Sequence, residues 1–228
     1  MISDCGDQAD YEDTLKYVGA VKGAADCRSW NTFRAARFDP YSRIYDKYIG
    51  KDIWVSPVYH MAQLFPRNEA RFCLSAVNAG FNRAVISSIK ELRYSANKAQ
   101  RDQLYLAQVN PIVYFPEGMT VWGNLTTQKK LSPLSDINNV RVVLYIKKAL
   151  ESYIRSYIFD ENAASTWSNI QSNVALFLNN CVSNRLINGF TSSCSATEYE
   201  LKTRTCHVDV TLTLKNTLEK IELNIFVQ

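Results

Sequence analysis

Histidine is almost missing from this sequence: His60 and His207 are the only two in 228 residues. Six cysteines are present (Cys5, Cys27, Cys73, Cys181, Cys194 and Cys206), but none forms a C-x-x-C pair. That scarcity disfavours a zinc site and makes buried or half-buried thiols the simpler reading. Cys206-His207 is the one adjacent thiol and imidazole, yet neighbouring side chains on a strand point to opposite faces, so the two do not form a nucleophile–base pair. His60 reads as a partly exposed helical residue. The eight glycines are scattered, without G-x-G-x-x-G or a lysine-ended phosphate loop. Also lacking is any apolar run near the ~20 residues that span a bilayer. The opening Met1-Ile2-Ser3-Asp4-Cys5-Gly6-Asp7 has none of the basic-then-apolar order of a secretory signal. A net charge of +4 is too mild to argue for nucleic acid. The expectation is therefore a protein of the reducing cytosol, without enzyme activity, cofactor or metal, that touches neither nucleic acid nor membrane and works by binding copies of itself or close partners.

What is present is a mixed α/β (α+β) pattern. Two amphipathic helices stand out. In 139–159 the apolar residues Val143, Ile146, Leu150, Tyr153 and Tyr157 recur every three or four positions, and in 165–186 Trp167, Ile170, Val174, Phe177 and Cys181 do the same. Ser56-Pro57 opens a helix with a capping hydroxyl and a proline at its first position, and Pro66 is expected to end it early. Asn97 and Gln100 open another helix, reaching Gln108, with a capping box. Strands are expected at 53–55 and 84–89. Asn110-Pro111 forces extended backbone, and 112–115 and 120–122 flank a four-residue hairpin loop at Pro116–Met119. Residues 1–29 are the least readable, although Tyr11 to Val21 has a weak helical pattern.

The last forty residues switch to a period of two. Cys206, Val208, Val210, Leu212 and Leu214 alternate with polar residues. After a turn at 215–217, a second alternating ribbon runs through Leu218, Ile221, Leu223, Ile225 and Val227. Such an apolar terminal strand either completes its own sheet or pairs with another molecule. Arg141, Lys148 and Arg155 recur at seven-residue spacing, share one helical face and could dock on an acidic surface.

From about Trp30 onward, short motifs occur in an order that resembles the carboxy-terminal portion of contractile phage tail sheath proteins. Asp52–Pro57 with Met61-Ala62 is similar to the family's "W-V-P-P-S … A-G", Pro66–Glu69 to "A-R-T-D", and Ala76–Arg83 to "A-P-A-G … R-G". Val109-Asn110-Pro111-Ile112 resembles "I-N-P-I", Val121-Trp122-Gly123 "V-W-G", Ile137–Arg141 "I-N-V-R-R", and Phe159–Asn162 before Trp167 "F-E-P-N … T-W". Val142 departs from the second arginine of "V-R-R", and Asn124–Thr127 from the usual basic "G-x-x-T".

The resemblance implies a mixed sheet packed by the two long helices. Residues 1–29 are then a shortened piece of sheath core, and 30–228 the sheath core and assembly region. It further implies a non-enzymatic sheath subunit, forming six-fold rings stacked helically around an inner tube. Its other partners would be the baseplate and the tail terminator, in a virion tail assembled in host cytoplasm. The terminal strand (Leu218, Ile221, Leu223, Ile225, Val227) is then an inter-subunit strand, and Arg141, Lys148 and Arg155 face the tube. The alternatives are a non-contractile tail-tube, terminator or baseplate module, or a cysteine hydrolase with a Cys–His pair in hydrogen-bond reach.

Overall fold

The computed structural model describes residues 1–21 and 29–217. The chain divides into two compact units, Met1–Tyr145 and Ile146 onward, with the division falling inside one helix. In the first unit, strand β1 (Ile2–Asp4) and helix α1 (Tyr11–Tyr17) precede strands β2 (Ala36–Asp39), β3 (Ser42–Asp46) and β4 (Lys51–Val55). Helix α2 (Pro57–Arg71), strand β5 (Ile89–Leu92), helix α3 (Lys98–Leu106) and strands β6 (Val109–Phe115) and β7 (Gly118–Val121) follow, and helix α4 (Ile137–Ile154) crosses the division. The least readable stretch thus contributes a strand and a helix.

Two sheets build this unit. One is mixed, in the order β1-β2-β6-β7: β1, β2 and β6 run parallel, and β7 returns antiparallel to β6. The other is antiparallel, in the order β4-β3-β5. Their shared core gathers Phe38, Met61, Leu64, Phe65, Ile112, Val121 and Ile137, with the Phe38 and Phe65 rings edge to face at 6.3 Å. Side chains of this kind each contribute roughly 1.5–3 kcal/mol on burial.

Local chemistry explains the elements. The Ser56 hydroxyl accepts the Val58 amide and Pro57 takes the first turn of α2, while Asn97 and Gln100 form the full capping box of α3. Helix α2 does not stop at Pro66 but continues to Arg71. Pro66 is exposed, and the opposite face buries Met61, Leu64, Phe65 and Asn68, which offsets the roughly 3 kcal/mol that an interior proline costs. The hairpin loop is shorter than expected. Phe115 pairs directly with Gly118, whose φ of 124° is open to glycine, so only Pro116-Glu117 turn the chain. The strand expected over 84–89 shrinks to a single bridge, Val85 to Thr120, because Ala84 and Ile86 enter the core from irregular backbone.

In the second unit α4 ends at Ile154 in a tighter 3-10 turn, Arg155–Tyr157, short of the expected end at residue 159, and Tyr153, expected on the apolar stripe, is exposed within α4. Helix α5 (Ala164–Ser183) buries Ile170, Val174, Leu178 and Cys181. Strands β8 (Gly189–Ser195) and β9 (His207–Thr213) form an antiparallel pair whose connection holds helix α6 (Glu198–Lys202). The expected mixed α/β pattern is thus carried by three sheets among the described residues, one mixed and two antiparallel. Residues 218–228, which carry the anticipated terminal strand, lie outside the described residues, as does Cys27.

Candidate assembly site

Among the described residues the sheet of the second unit is the two-stranded β8–β9 ribbon. Phe190 faces Leu212, Ser192 faces Val210, and Cys194 faces Val208 across the ladder. These positions are half-buried, whereas Thr191, Ser193, Ser195, His207, Asp209, Thr211 and Thr213 are exposed, which is the alternation expected of a ribbon with one covered face. The order β8-β9 leaves each strand one outer edge without a strand partner among the described residues. A two-stranded ribbon is marginal alone, and a seven-residue edge is a ready template for another strand.

The ribbon's far end is held by side chains. Thr197 and Glu200 form a capping box at α6, and Glu200 also pairs with His207 at 2.8 Å. Hydrogen bonds from Thr197, then the nearby His207, hold the Glu200 carboxyl below its usual pKa. Trp167 Nε1 donates to Asn162 Oδ1 at 2.7 Å, and Asn162 Nδ2 donates to the Thr205 carbonyl at 3.2 Å. The singled-out Asn162 and Trp167 thus form one clamp on the segment entering β9.

The other singled-out positions meet in the first unit. Asn110, fully buried in β6, donates to the carbonyls of Arg37 and Leu125, both at 2.8 Å, and accepts the Leu125 amide at 2.7 Å. Gly123 lies against it so closely that an added Cβ would stand 2.6 Å from Asn110 Oδ1. Pro111 accepts the Trp122 amide at 2.8 Å, and the Trp122 ring lies against Phe115 at 4.8 Å and Phe81 at 5.0 Å. These residues tie β6 to the backbone at Arg37 and to the segment Trp122–Leu125. They are structural.

The basic triplet does not act as three free charges. Arg141 is bound to Glu69 at 2.6 Å and lies over the Phe65 ring, both within the first unit. Lys148 is exposed on α4, and Arg155 is exposed in the 3-10 turn that follows. Sequence spacing could not foresee Glu69, a partner 72 positions away.

His60 departs from its expected place on the helix surface. It is 1 % exposed rather than on the surface, with Nε2 at 2.7 Å from Ser42 Oγ. Burial lowers its pKa to about 4, so the ring is neutral at pH 7. Ser42 is also fully buried, and His60 Nδ1 has no hydrogen-bond partner. This Ser–His contact lacks both an orienting carboxylate and solvent access, so it reads as core packing. Asp39, buried with oxygen acceptors for Thr14 and Tyr94, is pushed up to about 7 by burial. Among the described residues no group of three metal-ligating side chains gathers, and no helix is long and apolar enough to cross a membrane.

Comparison with known families decides how this architecture is classified. The model of the phage tail sheath C-terminal domain matches residues 129–228. Through these residues the C-terminal portion of the chain is similar to contractile tail sheath proteins. Among curated sheath relatives, the tail sheath protein of Vibrio phage KVP40 is 30% identical over 141 residues, covering 61% of this chain and 21% of its own length. That of Enterobacteria phage T4 is 29% identical over 135 residues, covering 59% and 20%. The chain thus spans about one fifth of the length of these sheath proteins.

Solved structures share this fold across nearly the whole chain. The six-fold symmetrised anti-feeding prophage baseplate superposes with a TM-score of 0.81 at 15% identity, covering 100% of this chain and 60% of that one. The sheath complex of the extracellular contractile injection system PVC, in its contracted state, gives 0.81 at 16%, covering 99% and 63%.

Proposed function

We propose that this chain serves as a structural subunit of a contractile tail sheath, with residues 30–228 as its core and assembly region. Copies stack as six-fold rings around an inner tube, meet a baseplate and a terminator at the ends, and shorten to drive the tube through a host envelope. Assembly takes place in host cytoplasm and the product is a virion tail. The mechanical work comes from the assembled lattice, without nucleotide.

One observation carries the reading: the long, open-edged β8–β9 ribbon is followed in sequence by an alternating apolar segment, Leu218 to Val227. A strand added to that ribbon from another copy gains main-chain hydrogen bonds along seven residues while its alternate side chains extend the apolar face. Such a link tolerates rotation of the bodies it joins, because strand and body connect only through a short segment. Lys148 and Arg155 are the tube-facing candidates that remain after Arg141 is assigned to Glu69.

Deletion of 218–228 tests the proposal. The shortened chain is expected to keep its far-ultraviolet circular dichroism and to remain a monomer by light scattering, while the full chain forms tubular polymers under the electron microscope. Polymers of unchanged length and abundance from the deleted chain would refute it.

A further inference from the structure

Two cysteines meet on the covered face of the assembly ribbon. Cys194 lies in β8 opposite Val208, and Cys206 stands just before β9, two positions from Val208 and therefore on the same face. Across an antiparallel pair, diagonal neighbours of this kind lie within side-chain reach. The two thiols share a hydrogen bond, both are unoxidised, and both are half-buried, so small reagents reach them. Cys5 and Cys181, by contrast, are buried.

We propose that Cys194 and Cys206 are a paired-thiol site that closes into a disulfide by exchange with a low-molecular-weight disulfide such as oxidised glutathione. One protein thiolate attacks the small disulfide, breaks its S–S bond and releases one small thiolate, leaving a mixed disulfide on the protein. The second protein thiolate then attacks the protein sulfur of that mixed bond and expels the second small thiolate. The two protons lost by the protein thiols pass to the two released thiols, and the small disulfide is reduced as the protein pair is oxidised. Closing the bond brings the sulfurs from hydrogen-bond contact to ~2.05 Å and the two Cα atoms to within about 7 Å of each other.

The bond closes the loop of residues 195–205, which contains α6, its Thr197–Glu200 capping box and the Asn162 bond to Thr205. It ties β8 to the entry of β9 and prevents that end of the ribbon from opening. Burial and then the adjacent Cys206 hold the Cys194 thiol above its ordinary pKa, so exchange is slow at neutral pH and accelerates as the pH rises. Closure of this disulfide does not depend on the ribbon binding another copy.

The test treats the full native chain with oxidised glutathione at pH 8, alkylates the remaining thiols and maps peptides by mass spectrometry without reduction. A peptide joining Cys194 to Cys206 in most molecules, with two alkylatable thiols lost and both recovered on reduction, is the expected result. Cys206→Ser is expected to stop at a stable glutathione adduct on Cys194. If both cysteines are alkylated, carry separate glutathiones or pair with other cysteines in the native chain, the proposal is wrong. That mapping needs no variant, so a misfolded Cys206→Ser would not shelter it.

Discussion

Gly123→Ala is the substitution whose cost can be worked most directly from the structure. The new Cβ would stand 2.6 Å from Asn110 Oδ1, 3.0 Å from its Cα and 3.1 Å from its Cβ. Asn110 cannot swing away, because its amide holds Arg37, Leu125 O and Leu125 N at 2.7–2.8 Å in a fully buried site. Relief therefore requires loosening those bonds or shifting β6. Each bond is worth about 1 kcal/mol, and a buried group left without a partner costs roughly 1–3 kcal/mol. A destabilisation of about 2–4 kcal/mol follows, a large share of the 5–15 kcal/mol that holds a typical protein together. Asn110→Ala should cost roughly 3–5 kcal/mol by the same reasoning. In an Asn110→Ala background the closest clash, with Oδ1, disappears, so Gly123→Ala should then cost at least about 1 kcal/mol less. Urea unfolding followed by tryptophan fluorescence and circular dichroism reads all four proteins. A Gly123→Ala loss below about 1 kcal/mol, or strict additivity of the two substitutions, would refute the close-packed linchpin.

The remaining predictions concern charge. His60 falls from 6.5 in the unfolded chain to about 4, so between these values the unfolded chain holds the extra proton and stability drops as the pH drops. Asp39 rises from 3.8 to about 7, so there the folded chain holds the extra proton and stability drops as the pH rises. The slopes oppose each other, and stability of the native chain should be nearly flat between pH 4 and 6.5. Asp39→Asn should uncover the His60 slope, a loss on the order of 3 kcal/mol on acidification; a flat profile in that variant would count against the buried neutral imidazole. Charge reversal at Lys148 and Arg155 should weaken sedimentation with assembled tube in a salt-dependent way; unchanged co-sedimentation would remove both from the tube face. Arg141→Glu should instead lower first-unit stability by about 1 kcal/mol through repulsion from Glu69 in urea unfolding; no loss would mean that the ion pair contributes nothing.

Local chemistry alone determined several elements of this protein. The capping groups of α2 and α3, the apolar stripe of α5 and the period of two in β9 arise from residues within a few positions of one another, and each is visible without the fold. The motif residues Asn110, Gly123, Asn162 and Trp167 were equally visible, but their roles were not. Asn110 acts through carbonyls at Arg37 and Leu125, and Asn162 through Thr205. Tertiary structure alone decided those contacts, the burial of His60 beside Ser42, the loss of Arg141 to Glu69, and the meeting of Cys194 with Cys206. It also decided that the Pro66 helix continues, since burial of one face outweighs a local penalty. The physical reason is common to all of them: periodicity and capping are set by neighbours along the chain, whereas burial and pairing are set by whichever distant segment closes against the residue.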